Sequence, residues 1–131
     1  MADAVSTTVL HNSPRRLVVQ ITNLSDGTGE SGVTKVDKST YTGPNGSEPG
    51  SLVIERIYGD VSGMDVKLYC DRTTDLTIAQ IGGLGKVDLD YRRHGGFQTN
   101  TAGDTGDILL TTSLHSSGDS YNLIIVMRKK D

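Results

Sequence analysis

The chain has 131 residues, a formal net charge of −3 and an isoelectric point near 5.5. Sequence-independent binding of nucleic acid needs a concentrated basic surface, so the negative net charge predicts no nucleic-acid partner. Sixteen glycines, only 34% hydrophobic residues and no Trp indicate a turn-rich β protein, and the length suits a single domain over residues 1–131.

The first half of the chain alternates apolar and polar residues between turn signals. Val5 to His11 predicts a first strand, and Arg16 to Leu24 predicts a second, with Leu17, Val19 and Ile21 on one face. Further strands are predicted at Val33 to Asp37, Leu52 to Tyr58 and Asp65 to Cys70. The last of these turns Val66, Leu68 and Cys70 inward, which makes the only cysteine a small buried hydrophobe.

Between the second and third strands, residues 24 to 34 read LSDGTGESGVT, with Gly27, Gly29 and Gly32 at the G-x-G-x-x-G spacing of a nucleotide-binding turn. In such a site a helix begins at the third glycine and its N–H groups receive the phosphate. Here the next segment is rich in Val and Thr and is broken by Gly43 and Pro44. The stretch therefore predicts a flexible turn between strands, with no cofactor.

The second half continues in the same way. Leu76 to Ile81 and Lys86 to Tyr91 are joined by Gly82-Gly83, which predicts a hairpin. The last strands are predicted at Asp107 to Thr112 and Ser120 to Arg128, and the two long loops at Thr40 to Gly50 and Arg92 to Thr105. Eight or nine short strands without a convincing helix predict an all-β, antiparallel two-sheet sandwich, jelly-roll-like in character.

Candidates for chemistry are sparse. His11, His94 and His115 are scattered beside turn residues, and Asp88 and Asp90 share one strand face without a calcium-loop pattern. These patterns predict no metal site, no catalytic set and no enzyme. No apolar run is long enough to cross a membrane and the N-terminal stretch lacks a signal-peptide pattern, so we expect no membrane partner and synthesis in a cytoplasm.

The order of several segments resembles small virion structural proteins of tailed bacteriophages. The resemblance lies in NLSDGTGES, VTKVDKST, TGPNGSEPGSLVIERIYGDVSG and GGF followed by TAGDTGDILLTT, and it spans residues 16 to 131. It implies a β-sandwich of the virion, most specifically a capsid decoration or cement protein that binds the major capsid protein, or another virion protein, in many copies. A head–tail connector, neck or tail protein is one alternative, and a carbohydrate-binding module using Tyr41, Tyr58, Tyr69 and Phe97 is another.

Three short basic clusters lie where strands are predicted to end: Arg15-Arg16, Arg92-Arg93-His94 and Arg128-Lys129-Lys130. They are either solvated strand ends or contacts for an acidic protein partner. Under the resemblance, Arg92 and Arg93 would meet the capsid surface. Phe97, the only phenylalanine, would be an exposed anchor between partners or would fold back over the edge of the core.

Overall fold

The structure is a computed structural model that describes residues 4–25, 27, 29–43, 46, 49, 51–70, 76–82, 84–98, 107–113 and 118–130. These residues form ten β-strands and two single turns of 3-10 helix. The strands are β1 (Ala4–Asn12), β2 (Arg16–Leu24), β3 (Val33–Val36), β4 (Ser51–Ser62), β5 (Asp65–Cys70), β6 (Leu76–Ile81), β7 (Leu84–Asp90), β8 (Phe97–Gln98), β9 (Ile108–Ser113) and β10 (Ser120–Lys130). The 3-10 turns cover Lys38–Thr40 and Arg92–His94.

The strands form two antiparallel sheets with jelly-roll connections. The larger sheet has the order β1-β2-β10-β4-β7, with β8 also paired to β4, and the smaller sheet has the order β3-β9-β5-β6. The chain passes from one sheet to the other after β2, β3, β4, β6, β8 and β9, so most sequence neighbours lie in opposite layers. The predicted all-β two-sheet sandwich is confirmed.

The predicted hairpin across Gly82 is wrong. β6 pairs with β5 in the smaller sheet, whereas β7 pairs with β4 in the larger one. The physical reason is that alternation identifies a strand but not its neighbour, and a glycine turn serves a crossing between layers as well as a hairpin. β8 was also not predicted, because it lies within the polar stretch that was assigned to a loop.

One hydrophobic core fills the space between the sheets. The larger sheet contributes Leu17, Ile57 and Leu123, and the smaller sheet contributes Leu68 and Leu110, all with no solvent exposure. The predicted register of β5 is confirmed, since its side chains alternate between buried and more exposed positions and Cys70 is a buried free thiol. The apolar face of each sheet is therefore shielded from water by the other sheet.

The glycine-rich stretch connects β2 to β3, and its described residues form no helix. Gly27, Gly29 and Gly32 have φ values of 100°, 79° and 61°, which favour glycine, and β3 begins immediately after Gly32. The predicted lack of a helix at the third glycine is confirmed, so Gly32 does not begin a row of free helical N–H groups of the kind that binds phosphate.

Glu30, which the sequence placed in a flexible turn, is instead a buried hub of this connection. Its Oε1 accepts hydrogen bonds from Asn23 Nδ2 and from the Tyr121 hydroxyl, each at 2.6 Å. Its Oε2 lies 2.5 Å from Nζ of Lys35, and both side chains are less than a tenth exposed. Its backbone N–H donates to Thr112 Oγ1. The carboxylate thus joins β2, β3 and β10, and the backbone adds β9.

Lys129, predicted to lie in a solvated basic cluster, is also buried, with 3% of its surface exposed. Its ammonium group donates to the Asn12 side chain and to the carbonyl oxygens of Ser13 and Thr42. It thereby ties the end of β10 to the β1–β2 turn and to the segment after β3. The alternation of β10 explains the burial, because Lys129 falls on the same face as Met127.

Candidate interaction surface

Two of the basic clusters meet on the solvent-facing side of the larger sheet. The register of β2 and β10 places Arg128 directly opposite Arg16, and Arg15 precedes Arg16 at the start of the sheet. Glu55 of β4 lies between them: its carboxylate is 3.5 Å from Arg16 Nη2 and 3.8 Å from Arg128 Nη1. We call Arg15, Arg16, Glu55 and Arg128 the arginine cluster; they line an open groove of about 250 Å³.

Glu55 owes its position to a β-bulge. The pairing of β4 with β10 shifts between Arg56 opposite Val126 and Ile54 opposite Met127, which leaves Glu55 as the additional residue of β4. A bulge re-aims a side chain and bends its strand. Here the Glu55 side chain is 19% exposed and lies between Arg16 and Arg128. Its single negative charge separates the two arginines but balances only one of their two positive charges.

The third basic cluster borders the same surface. The N–H of Tyr91 donates to the carbonyl of Glu55, and the 3-10 turn Arg92–His94 follows. Arg92 makes a bidentate pair with Asp90 at 2.9 and 2.7 Å, and this hydrogen bonding holds the pKa of Asp90 well below its ordinary value. Arg93 is exposed on the turn. The structure therefore brings Arg92 close to the arginine cluster but pairs its charge locally.

A second bidentate pair extends this border along the sheet. Arg56 contacts both oxygens of Asp88 at 2.9 and 2.7 Å and lies 4.7 Å from the ring centroid of Tyr58. The hydrogen bond from Arg56 lowers the pKa of Asp88, so this carboxylate stays charged at neutral pH. Because Asp88 and Asp90 are both matched by arginines, the excess positive charge of this face lies at the arginine cluster.

Phe97 lies beneath this surface, with its ring on the edge of the core. The ring is half-buried and meets Tyr91 edge-to-face at 5.8 Å between centroids, while its backbone pairs with Ile54 of β4. Of the two predictions made for this residue, the structure favours the one that folds it over the core edge. The remainder of the predicted loop, residues 99–105, lies outside the described residues.

We expect Phe97→Ala to lower the free energy of unfolding by about 2 kcal/mol, because a half-buried ring loses part of its packing. Chemical denaturation followed by circular dichroism measures the change. Arg93→Ala is the control, since Arg93 is exposed on the neighbouring turn, and it should change stability by less than about 0.5 kcal/mol. Equal midpoints for the two variants would contradict the packing assigned to Phe97.

A second groove, of about 420 Å³, lies on the outer face of the smaller sheet, with Asp65, Lys67, Gln80, Thr111 and Ser113 in its lining. The four aromatic residues considered for sugar binding do not share one surface. Tyr58 and Tyr69 lie on opposite sheets, and Tyr41 and Phe97 pack against the core. A stacking platform built from these rings is therefore not assembled.

Within the described ranges, no group of three His, Cys, Asp or Glu residues is arranged to hold a metal ion. His11 is exposed on β1, and His115 lies outside the described residues. None of the helices in this part of the chain has the length and apolar character needed to span a membrane. In comparisons with protein-family models, curated proteins and solved structures, nothing matches the chain.

Proposed function

We propose that the protein is a non-enzymatic structural protein of a phage virion, most specifically a decoration or cement protein that binds the outer capsid shell in many copies. Support comes from the resemblance of its segments to small virion proteins and from its jelly-roll connections, although this fold serves many functions. Such a protein needs no cofactor, because it stabilises the shell through the surface area that is buried when it binds.

The observation that carries the proposal is the arginine cluster on an otherwise acidic protein. Two guanidinium groups, those of Arg16 and Arg128, flank the single carboxylate of Glu55, and Arg15 lines the same groove. The side chains of Arg16 and Arg128 remain about half exposed, at 53% and 47%. Guanidinium groups bind carboxylates through paired hydrogen bonds. Because both arginines stand on central strands rather than on loops, they form a preorganised surface for an acidic partner such as a capsid protein.

Arg92, Arg93 and Phe97, which the sequence predicts to bind the partner, have different roles from one another in this proposal. Arg92 and Arg93 form the border of the surface, where Arg93 is exposed and Arg92 is paired with Asp90. Phe97 supports that border from below through its contact with Tyr91. The partner contact is therefore assigned to the arginine cluster and Arg93, and the role of Phe97 is to hold the turn.

The test is binding of purified protein to undecorated phage heads. Neutralising two charges in Arg16→Gln with Arg128→Gln should weaken binding at least about tenfold, since truncating charged contacts at an interface typically costs 2 kcal/mol or more. The matched control is Lys67→Gln, which removes a positive charge from the opposite outer face. Melting curves of all variants check folding. Full occupancy by a folded double variant would remove the arginine cluster from the interface.

Electron microscopy of the parent virion separates the proposal from its alternatives. Density over the capsomers supports decoration, whereas density at the portal vertex or along the tail supports a connector, neck or tail protein. Specific retention on a glycan array would favour the carbohydrate-binding alternative.

A further inference from the structure

β1 is an exposed edge strand without the usual protection of such edges. It pairs only with β2 in the sheet order, and every residue from Val5 to Asn12 is exposed. Edge strands are normally blunted by charged residues or proline. The opposite edge of the same sheet, β7, carries Lys86, Asp88 and Asp90, whereas β1 reads AVSTTVLHN and has none of these residue types. Among the described strands, none other than β2 pairs with β1, which leaves its outer backbone groups open to another strand.

The larger sheet also extends beyond the smaller one at β1. Val5 pairs with Asn23 and Val9 with Val19, and both of these β2 residues face the core. Opposed residues in an antiparallel pair share a face, so Val5 and Val9 lie on the core side of the sheet. They are nevertheless 50% and 44% exposed, so the described strands of the smaller sheet leave them largely uncovered.

We propose that β1 pairs antiparallel with β1 of a second copy of this chain, about a two-fold axis at Thr7. In this register Val5 opposes Val9 of the second copy, Ser6 opposes Thr8, and Thr7 opposes its own equivalent. Of the registers with two-fold symmetry about a residue of Val5 to Val9, this one alone places both valines of each copy opposite a valine. It also ends before the bulge that follows Val9.

A second copy fits this edge better than an unrelated strand because the sequence is complementary to itself. An isologous contact uses the same patch twice, so any charge in it would face a like charge; β1 carries no formal charge. The pairing joins two larger sheets into one and brings four valines together on the core side, where cross-strand β-branched pairs stabilise a sheet. The inference gives the multi-copy assembly of the proposed function a defined contact, but it concerns the free protein.

The test is the mass of the free protein measured by sedimentation over a range of concentrations. The wild-type chain should approach twice its 14.0 kDa as concentration rises. Thr7→Lys and Thr7→Glu should each weaken association at least about tenfold, because they place like charges opposite each other on the axis. An equimolar mixture of the two variants should recover the dimer. Thr7 is exposed, so melting curves should show both variants folded.

Gln80→Lys is the matched control, because Gln80 is exposed on β6, an uncharged edge strand of the smaller sheet. It should leave the dimer intact. A wild-type chain that stays monomeric at millimolar concentration, a trimer, loss of the dimer in Gln80→Lys, or a mixture that stays monomeric would each overturn the proposal. Capsid occupancy is measured separately, so a dimer that fails to bind heads would count against the proposed function alone.

Discussion

Leu68→Asp should leave the protein unfolded at room temperature. Leu68 has no solvent exposure and lies in β5, one of the two inner strands of the smaller sheet, between Ala79 of β6 and Leu110 of β9. The new carboxylate would enter a region lined by apolar side chains. Burying such a group costs several kcal/mol, which is a large part of the roughly 5–15 kcal/mol that stabilises an ordinary domain.

Lys67→Asp is the control for this substitution, because Lys67 is the neighbour on the same strand and points to solvent. It loses the contact of its ammonium group with the Tyr69 ring, at 5.5 Å, which is worth about 0.5–1 kcal/mol at an exposed site. Thermal unfolding followed by circular dichroism compares the two variants. Similar melting temperatures would show that the register of β5 is wrong.

Gly59→Ala should be the most destabilising of the conservative substitutions in the larger sheet. Gly59 has φ 148° and lies between Leu123 of β10 and Val87 of β7. A Cβ at this position would overlap the backbone carbonyl oxygen of Asn122, which cannot move without breaking the β4–β10 pairing. Steric overlap and a strained backbone together should lower the free energy of unfolding by about 4 kcal/mol.

Gly85→Ala separates the two contributions. Gly85 also has a positive φ, of 115°, but a Cβ there meets nothing within 4 Å. The cost should then be the backbone strain alone, about 1–2 kcal/mol. Urea denaturation of both variants measures the difference, and a Gly85→Ala protein as unstable as Gly59→Ala would mean that the overlap at Asn122 contributes nothing.

The sequence was sufficient to locate most strands and the inward face of several. Alternation found β2 and β5 with their bounds as observed, since one face of each is buried and the other is wet. The number of layers followed from strand length and spacing. What alternation could not supply was the partner of each strand, and the wrong hairpin between β6 and β7 arose from this gap.

The interaction surface was only partly predictable for the same reason. The three basic clusters were visible in the sequence, but the meeting of Arg16 with Arg128 depends on the pairing of β2 with β10. Glu55 could not be assigned because its orientation comes from a bulge. Glu30 was predicted to lie in a flexible turn and Lys129 in a solvated strand end, because charged residues are seldom buried unless paired and several of the partners are distant in the sequence.

The central place of β10 in the larger sheet bears on how quickly the protein folds. Gln20 and Asn122, which are hydrogen-bonded across β2 and β10, stand 102 positions apart in the chain. Loop-closure entropy must be overcome before such a pairing is rewarded, and β proteins rich in distant contacts fold in about milliseconds to seconds. Until β10 docks, β2 and β4 have no common neighbour and each has an unpaired edge that can pair with another chain. We therefore expect the yield of native protein to depend on competition between the docking of β10 and intermolecular association.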